Sequence, residues 1–394
     1  MTGEFKNLAE LCKISCDRYA DRPLFGTKTD GQWKWLTYGE FHQRVNDFRG
    51  GLAALGVGEG ERVAMIADNR VGWAVAAYAT YGLKAAFVPM YQAQKPDEWR
   101  FILDDCGAKV VFTATKDIYD TISNMKPQLG SCEHVLSFDL PDDDPNSYQG
   151  VMAKGKDSPA EMLSPESSSI AGYIYTSGTT GNPKGVVLTH DNICSNINGV
   201  QNLFDITQED RSLSFLPWAH AFGQTCELHL LISKGSSMGI NDAIPSLVSN
   251  LSEVKPTVLY AVPRIFNKIY DKVNAQISEK PGFIQSLVAR GIRVAKAKSE
   301  GQSVGFFDKL AFAIADRLVF EKIRQRFGGR LRYAISGSAA LSTDVGDFID
   351  ALGIMVYEGY GLSETSPIAT CNYPDNRKMG SVGKAIPGVR IEID

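Results

Sequence analysis

The sequence predicts an α/β fold built on parallel strands. Three observations carry that expectation. From residue 62 onward, short β-branched or apolar runs alternate with longer helical stretches. The alternation breaks over 139–169, where Ser, Asp and Pro are dense, and then resumes. The 394 residues are 44% hydrophobic and 22% charged, enough apolar material for several cores, which excludes a disordered, collagen-like or disulfide-stapled chain. Strand, helix, strand in repetition implies parallel strands joined by right-handed crossovers.

The first strand of the series is 63–67. The alanine-rich stretch 73–83 reads as a helix and 85–90 as a buried strand, followed by helix 97–106 and strands 109–113 and 134–138. The 13 uncharged residues of 71–83 end at Lys84. That is short of the roughly 20 a membrane span needs, and a buried helix plus a buried strand explains the run better. No signal peptide is expected, because Glu4 and Glu10 leave no apolar stretch near the N-terminus. Residues 139–169 read as a connector between a first α/β subdomain, 1–168, and a second, 169–394. Within it, Asp142, Asp143 and Asp144 read as a solvated loop in preference to a metal site. Beyond it, 170–176, 185–190, 212–216, 236–240 and 257–261 are strand-like. Residues 263–327 read as almost wholly helical, with apolar positions such as Ile284, Leu287, Phe307, Leu310, Ile314 and Leu318 at helical spacing, and 331–335 and 354–358 return to strand.

The net charge of −4 is too mild to indicate a nucleic-acid partner. It is unevenly spread: 253–332 carries 16 Lys/Arg against 7 Asp/Glu, a net of +9 that leaves −13 elsewhere. Solvated helix faces are one reading of this region; a basic surface for an anionic membrane or a polyphosphate is the other. The seven cysteines are odd in number and form no CxxC pair, so they read as core thiols in a reducing compartment. Cys12 and Cys16 would share a helix face but lack two further zinc ligands.

The strongest local signal is Tyr175-Thr176-Ser177-Gly178-Thr179-Thr180-Gly181-Asn182-Pro183-Lys184-Gly185, entered by one apolar strand and left by another. Three glycines let successive N–H groups converge, while four hydroxyls and one lysine add donors and charge. A polyphosphate needs that combination of many short donors, little bulk and a cation. The Walker spacing GxxxxGK[ST] is absent, since Gly185 follows Lys184, which disfavours a P-loop NTPase. A mobile Gly/Ser/Thr linker is the plain alternative.

This segment resembles the phosphate-binding signature of the adenylate-forming superfamily (acyl-CoA synthetases, acyl-adenylate ligases, peptide-synthetase adenylation domains, firefly-type luciferases). Two further segments resemble the family in the same order. In 216–222, LPWAHAF, His220 corresponds to the side chain bordering the carboxylate end of the acyl pocket; alone, it would read as a structural histidine. In 357–365, YEGYGLSET, Tyr360 offers a ring for adenine, Gly359 and Gly361 allow close backbone approach, and Glu364 is the carboxylate expected to hold Mg²⁺. Ser363 stands where the family usually has Thr, so the hydroxyl survives. A fourth segment, 336–341, SGSAAL, resembles the strand-end turn lining the adenine and acyl pockets; Ala340 replaces a Pro common in relatives.

The resemblance implies two stacked, mostly parallel, doubly wound sheets flanked by helices. It assigns Ser177, Gly178, Thr179, Thr180, Gly181 and Lys184 to the β- and γ-phosphates, and Thr176 and Glu364 to Mg²⁺. His220 is expected near the carboxylate and Tyr360 against adenine. Gly337, Ser338, Ala339, Glu358, Gly359, Gly361 and Ser363 complete the nucleotide site, with Lys184, His220 and Glu364 as the catalytic set. Asn69-Arg70 with Trp73, the stretch VPRIFNKIYDKV at 262–273, and a long helical insertion, 263–330, followed by Leu331-Arg332-Tyr333, look like long-chain fatty acyl-CoA synthetases.

The implied reaction joins a fatty acid to ATP as acyl-adenylate, then to coenzyme A as thioester. The implied setting is cytoplasmic, with peripheral membrane contact through the basic 253–332 region. The chain stops at Ile391-Glu392-Ile393-Asp394, where such enzymes continue into a ribose-binding segment and a small C-terminal lid domain. The expectation is thus a large N-terminal part, weakly active or inactive alone. An acyl-AMP ligase serving a carrier protein and a non-catalytic acyl- or nucleotide-binding module are the competing readings.

Overall fold

In the computed structural model, which describes residues 5–177 and 181–393, the expected alternation becomes regular structure. The chain opens with helix α1 (Leu8–Arg18), the hairpin β1 (Pro23–Thr29) and β2 (Gln32–Thr37), and helix α2 (Tyr38–Ala54). The βα series follows: β3 (Arg62–Ile66), α3 (Val71–Tyr81), β4 (Ala86–Met90), α4 (Pro96–Cys106), β5 (Val110–Thr113), α5 (Lys116–Met125), β6 (His134–Ser137) and α6 (Tyr148–Asp157). A second hairpin, β7 (Ile170–Thr176) and β8 (Lys184–Thr189), brackets the Gly/Ser/Thr-rich loop. Next come α7 (His190–Val200), β9 (Arg211–Ser214), a π-helical segment (Phe222–His229) running into α8 (Leu230–Ser233), β10 (Ser237–Ile240), α9 (Leu247–Val254) and β11 (Val258–Ala261). The region expected to be helical holds α10 (Pro263–Ser278), α11 (Gly282–Ser299), α12 (Phe306–Ala315), a π-helical turn (Asp316–Phe320) and α13 (Glu321–Arg326). The chain then forms β12 (Tyr333–Ser336), α14 (Thr343–Ala351), β13 (Met355–Gly361), β14 (Ile368–Cys371) and β15 (Lys384–Ala385).

The six-stranded sheet runs β6-β5-β3-β4-β7-β8. Its centre is parallel, with Val63 opposite both Phe87 and Val110. Every residue of β4 and β5 is buried, as expected of strands covered on both faces by helices. Helix α3 is buried from Gly72 to Tyr81, so the apolar run is interior helix followed by interior strand. At Gly172 a Cβ would lie 2.3 Å from the Phe87 carbonyl oxygen; glycine is what lets β7 close on β4.

A five-stranded sheet, β11-β12-β13-β14-β15, is parallel across its first three strands and antiparallel after them. To these two expected sheets the structure adds a third, β2-β1-β10-β9. The sheets do not divide at 168/169. β7 and β8 complete the first sheet, while β1 pairs with β10 from the later half. The stretch 139–169 is also more than a connector, because α6 packs on α2 through glycines. A Cβ on Gly155 would lie 1.6 Å from the Asp47 carbonyl oxygen, and one on Gly51 would lie 2.2 Å from that of Val151. Asp142 and Asp143 are exposed in the turn before α6.

One apolar core, containing Trp73, Trp218 and Phe112, surrounds the six-stranded sheet. A second, containing Phe266, Phe320 and Phe348, lies against the five-stranded sheet and the helical region. The seven cysteines are buried free thiols; Cys12 and Cys16 stand one turn apart, Sγ to Sγ 3.9 Å. Among the described residues no helix is long and apolar enough to cross a membrane, and no group of His, Cys, Asp and Glu forms a metal cluster.

Candidate active site

Three strands end at one cavity of about 340 Å³. Thr176 closes β7, Ser336 closes β12 and Gly361 closes β13, and all three line it. The carboxyl ends of parallel strands are where α/β sheets present ligand sites, because loops and helix starts converge there.

Of the residues singled out in the sequence, Thr176, His220, Gly337, Ser338, Gly359, Tyr360, Gly361, Ser363 and Glu364 line this cavity. They come from four stretches far apart in the chain. Tyr360 is 51% exposed, an open ring at the rim. Gly361 is forced by close approach: a Cβ there would lie 1.6 Å from the Pro367 carbonyl oxygen. Ser338 holds a left-handed backbone with φ +69°. Glu364 is exposed in a short helical turn, Ser363–Thr365, and borders both this cavity and a more polar one lined by Asp191, Asn192 and Asn198. That leaves a carboxylate and the Thr176 hydroxyl on one cavity, oxygen donors of the kind Mg²⁺ prefers.

Other expected site residues stand apart from the cavity wall. Lys184 is exposed at the start of β8, directly opposite Thr176 in the hairpin. Ser177 and Gly181 are exposed on the loop, and Ala339 is exposed beyond Ser338. Gly178, Thr179 and Thr180 lie outside the described residues. Glu358 is buried, and its carboxylate accepts the Leu341 and Gly380 N–H groups, each at 3.2 Å. Strand alternation explains this: Tyr357 and Gly359 face the cavity, so Glu358 faces away.

His220 sits in the turn after β9. Its N–H donates to the Pro217 carbonyl at 3.1 Å, and its Nδ1 accepts the Phe222 N–H at 3.1 Å. An accepting Nδ1 puts the proton of the neutral ring on Nε2. Desolvation lowers the pKa from its ordinary value, so the ring is held as a neutral Nε2–H donor. Asn69, on the loop before α3, fixes this turn from behind. Its amide donates to the Leu216 carbonyl at 2.7 Å and the Ser214 hydroxyl at 3.2 Å, and its oxygen accepts the Trp218 N–H at 2.8 Å.

Sequence reading missed the inner wall. Phe222, Cys226 and Leu230 line the cavity from the π-helical segment and the start of α8. Tyr260, Ile335 and Tyr357 line it as one row across β11, β12 and β13, where they are register partners. The signal was present as apolar residues four apart directly after His220. Glu227 was missed too. It is fully buried, and its carboxylate accepts the Ser212 and Ser214 hydroxyls at 2.8 and 2.7 Å, tying the π-helical segment to β9. Burial raises its pKa to about 7. A π-helical stretch at a site is a recurrent device for re-aiming side chains.

A family model described as AMP-binding enzyme matches residues 12–394. The chain belongs to the AMP-binding enzyme family. Among its curated relatives in that family, the long-chain-fatty-acid–CoA ligase FadD15 of Mycobacterium bovis is 31% identical, covering 99% of this chain and 66% of its own length. The peroxisomal long chain acyl-CoA synthetase 7 of Arabidopsis thaliana is 29% identical, covering 96% of this chain and 55% of its own length. The chain thus spans between about half and two thirds of these relatives. Among solved structures, the N-terminal domain of FACL13 from Mycobacterium tuberculosis superposes with a TM-score of 0.72 at 21% identity, over 97% of this chain and 83% of that one. The anthranilate CoA ligase AuaEII, in complex with anthranoyl-AMP, gives 0.71 at 20% identity, over 97% of this chain and 64% of that one. The fold is therefore that of the AMP-binding domain.

Proposed function

We propose that this chain is the acyl-activating core of a long-chain fatty acid–CoA ligase. The observation that carries the reading is a single cavity with a polar rim, Thr176, His220, Ser338, Tyr360 and Glu364, and a largely apolar inner wall, Phe222, Leu230, Tyr260 and Ile335. An amphiphilic acid joined to a nucleotide needs both.

In this reading a fatty carboxylate oxygen attacks the α-phosphorus of ATP, the Pα–O bond to pyrophosphate breaks, and acyl-AMP forms. The thiol of coenzyme A then attacks the acyl carbon, and AMP leaves. His220 donates its Nε2–H to the carboxylate or α-phosphate oxygen. Tyr360 stacks on adenine, with Gly337, Ser338, Gly359, Gly361 and Ser363 shaping the groove. Lys184 and the loop 177–181 hold the β- and γ-phosphates. Thr176 and Glu364 are the residues that would hold Mg²⁺, which would neutralise phosphate charge. Charge spreads over the phosphoryl oxygens in the transition state, so fixed donors and cations carry most of the catalysis. A cytoplasmic setting with peripheral membrane contact through 253–332 belongs to the same reading; the buried free thiols fit a reducing compartment.

The test is calorimetric titration of the chain with non-hydrolysable acyl-adenylate analogues from acetyl to palmitoyl. Affinity should climb with chain length, by up to about 0.8 kcal/mol per methylene buried, until the cavity is filled. Affinity independent of length would remove the long-chain assignment, and no binding at any length would remove the acyl-adenylate site.

A further inference from the structure

Helix α12 is apolar on both faces. Its inner face buries Ala311 and Ala315 and leans on α11, where a Cβ on Gly291 would lie 3.1 Å from that of Ala315. Among the described residues, none covers its outer face. Phe306 and Phe307 are 76% and 75% exposed, their ring centroids 5.8 Å apart. Leu310, Ile314 and Leu318 continue the stripe through the π-helical turn, each more than 40% exposed. Exposed apolar residues scattered singly need no explanation, but a contiguous stripe headed by two phenylalanines does.

The charges around the stripe say what covers it. The acidic residues of this segment are already paired: Asp308 with Arg290 at 2.7 Å and Asp316 with Arg324 at 2.6 Å. Lys309 and Arg317 stand exposed beside the stripe. The whole stretch 253–332 carries a net +9. A second copy of the chain on this face would bring two such regions together, and like charge opposes that. A bilayer with anionic headgroups offers hydrocarbon to the stripe and negative charge to its flanks, the combination that holds interfacial helices.

We propose that the outer face of α12 seats the chain on the surface of an anionic lipid bilayer, with Phe306 and Phe307 inserted. This rests on the peripheral contact through 253–332 in the proposed function and names the face that makes it; its test uses no substrate, so it can fail without touching the acyl-adenylate site. The experiment is flotation of the chain with phosphatidylcholine vesicles, with and without phosphatidylglycerol. The chain should float with the mixed vesicles, and more weakly at high salt. Phe306→Ser with Phe307→Ser should lower partitioning by about tenfold or more. Both side chains are exposed, so the double variant should keep the parent's circular dichroism and melting profile. Absence of flotation would overturn the proposal, as would equal flotation by the folded double variant. A concentration-dependent dimer abolished by the same two changes would assign the face to a second copy and overturn it equally.

Discussion

At Tyr360 the chain offers an open aromatic ring beside glycines, and the ring's chemistry sets the first prediction. Base–aromatic stacking contributes about 1–3 kcal/mol. Tyr360→Ala should therefore weaken binding of an acyl-adenylate analogue about tenfold, while Tyr360→Phe keeps most of it; equal loss in both would point to the hydroxyl and away from stacking. Gly361 gives a sharper case. Any side chain there meets the Pro367 carbonyl oxygen at 1.6 Å, so β13 and β14 must separate. Gly361→Ala should abolish analogue binding in a chain whose core still folds, measured by calorimetry alongside a melting curve. These residues were legible in the sequence because glycine, tyrosine and acid stand together in one short segment. Glu227 and Tyr260 were not, because each is surrounded in sequence by ordinary core residues. Only the fold brings serine hydroxyls to one and the cavity to the other.

Two features owe their position to a few close contacts. Helix α6 crosses α2 at the glycines, and Gly155→Ala places a methyl 1.6 Å from the Asp47 carbonyl. Overpacking usually costs about 1–3 kcal/mol, and a backbone obstacle belongs at the upper end, so the urea midpoint should fall clearly; an unchanged midpoint would show that the helices can slide apart. The sequence reading passed over α6 because its neighbourhood is rich in Ser, Pro and Asp, whereas paired glycines in α2 were the available sign of a close crossing. The His220 turn depends likewise on Asn69. Asn69→Ala takes away the partner of the Trp218 N–H and of the Leu216 carbonyl, while the Ser214 hydroxyl keeps Glu227, a loss of about 1–3 kcal/mol per buried group left unsatisfied. It should loosen the turn that aims His220 and weaken analogue binding without touching the nucleotide groove. Asn69→Asp, which keeps the acceptor for Trp218, should recover part of it.

Over the whole molecule, three fully buried titratable groups set a pH dependence. The parallel βαβ core was readable because apolar period and helical period alternate in sequence. The cross-connection of β1 with β10 was not, because such pairing joins segments with no local signal between them. His190 and His229 are buried, and desolvation lowers them from 6.5 to about 4 and about 3. The unfolded chain therefore binds more protons than the folded one between those values and 6.5, so stability rises with pH through that window. Glu227 has the opposite sign. Raised from 4.5 to about 7, it keeps its proton longer in the folded state, so its contribution falls as pH rises from 4.5 to 7. Where the windows overlap the two histidines outweigh one glutamate, and above 6.5 only the glutamate slope remains. The three groups together put the optimum near pH 6.5. Glu227→Gln isolates one arm. The stability of the variant relative to the parent should grow by about 3 kcal/mol between pH 4.5 and 7 and stay level above 7, read from urea melts across that range. A difference that does not change with pH would mean that Glu227 ionises as readily folded as unfolded, and that the Ser212 and Ser214 hydroxyls compensate its burial in full.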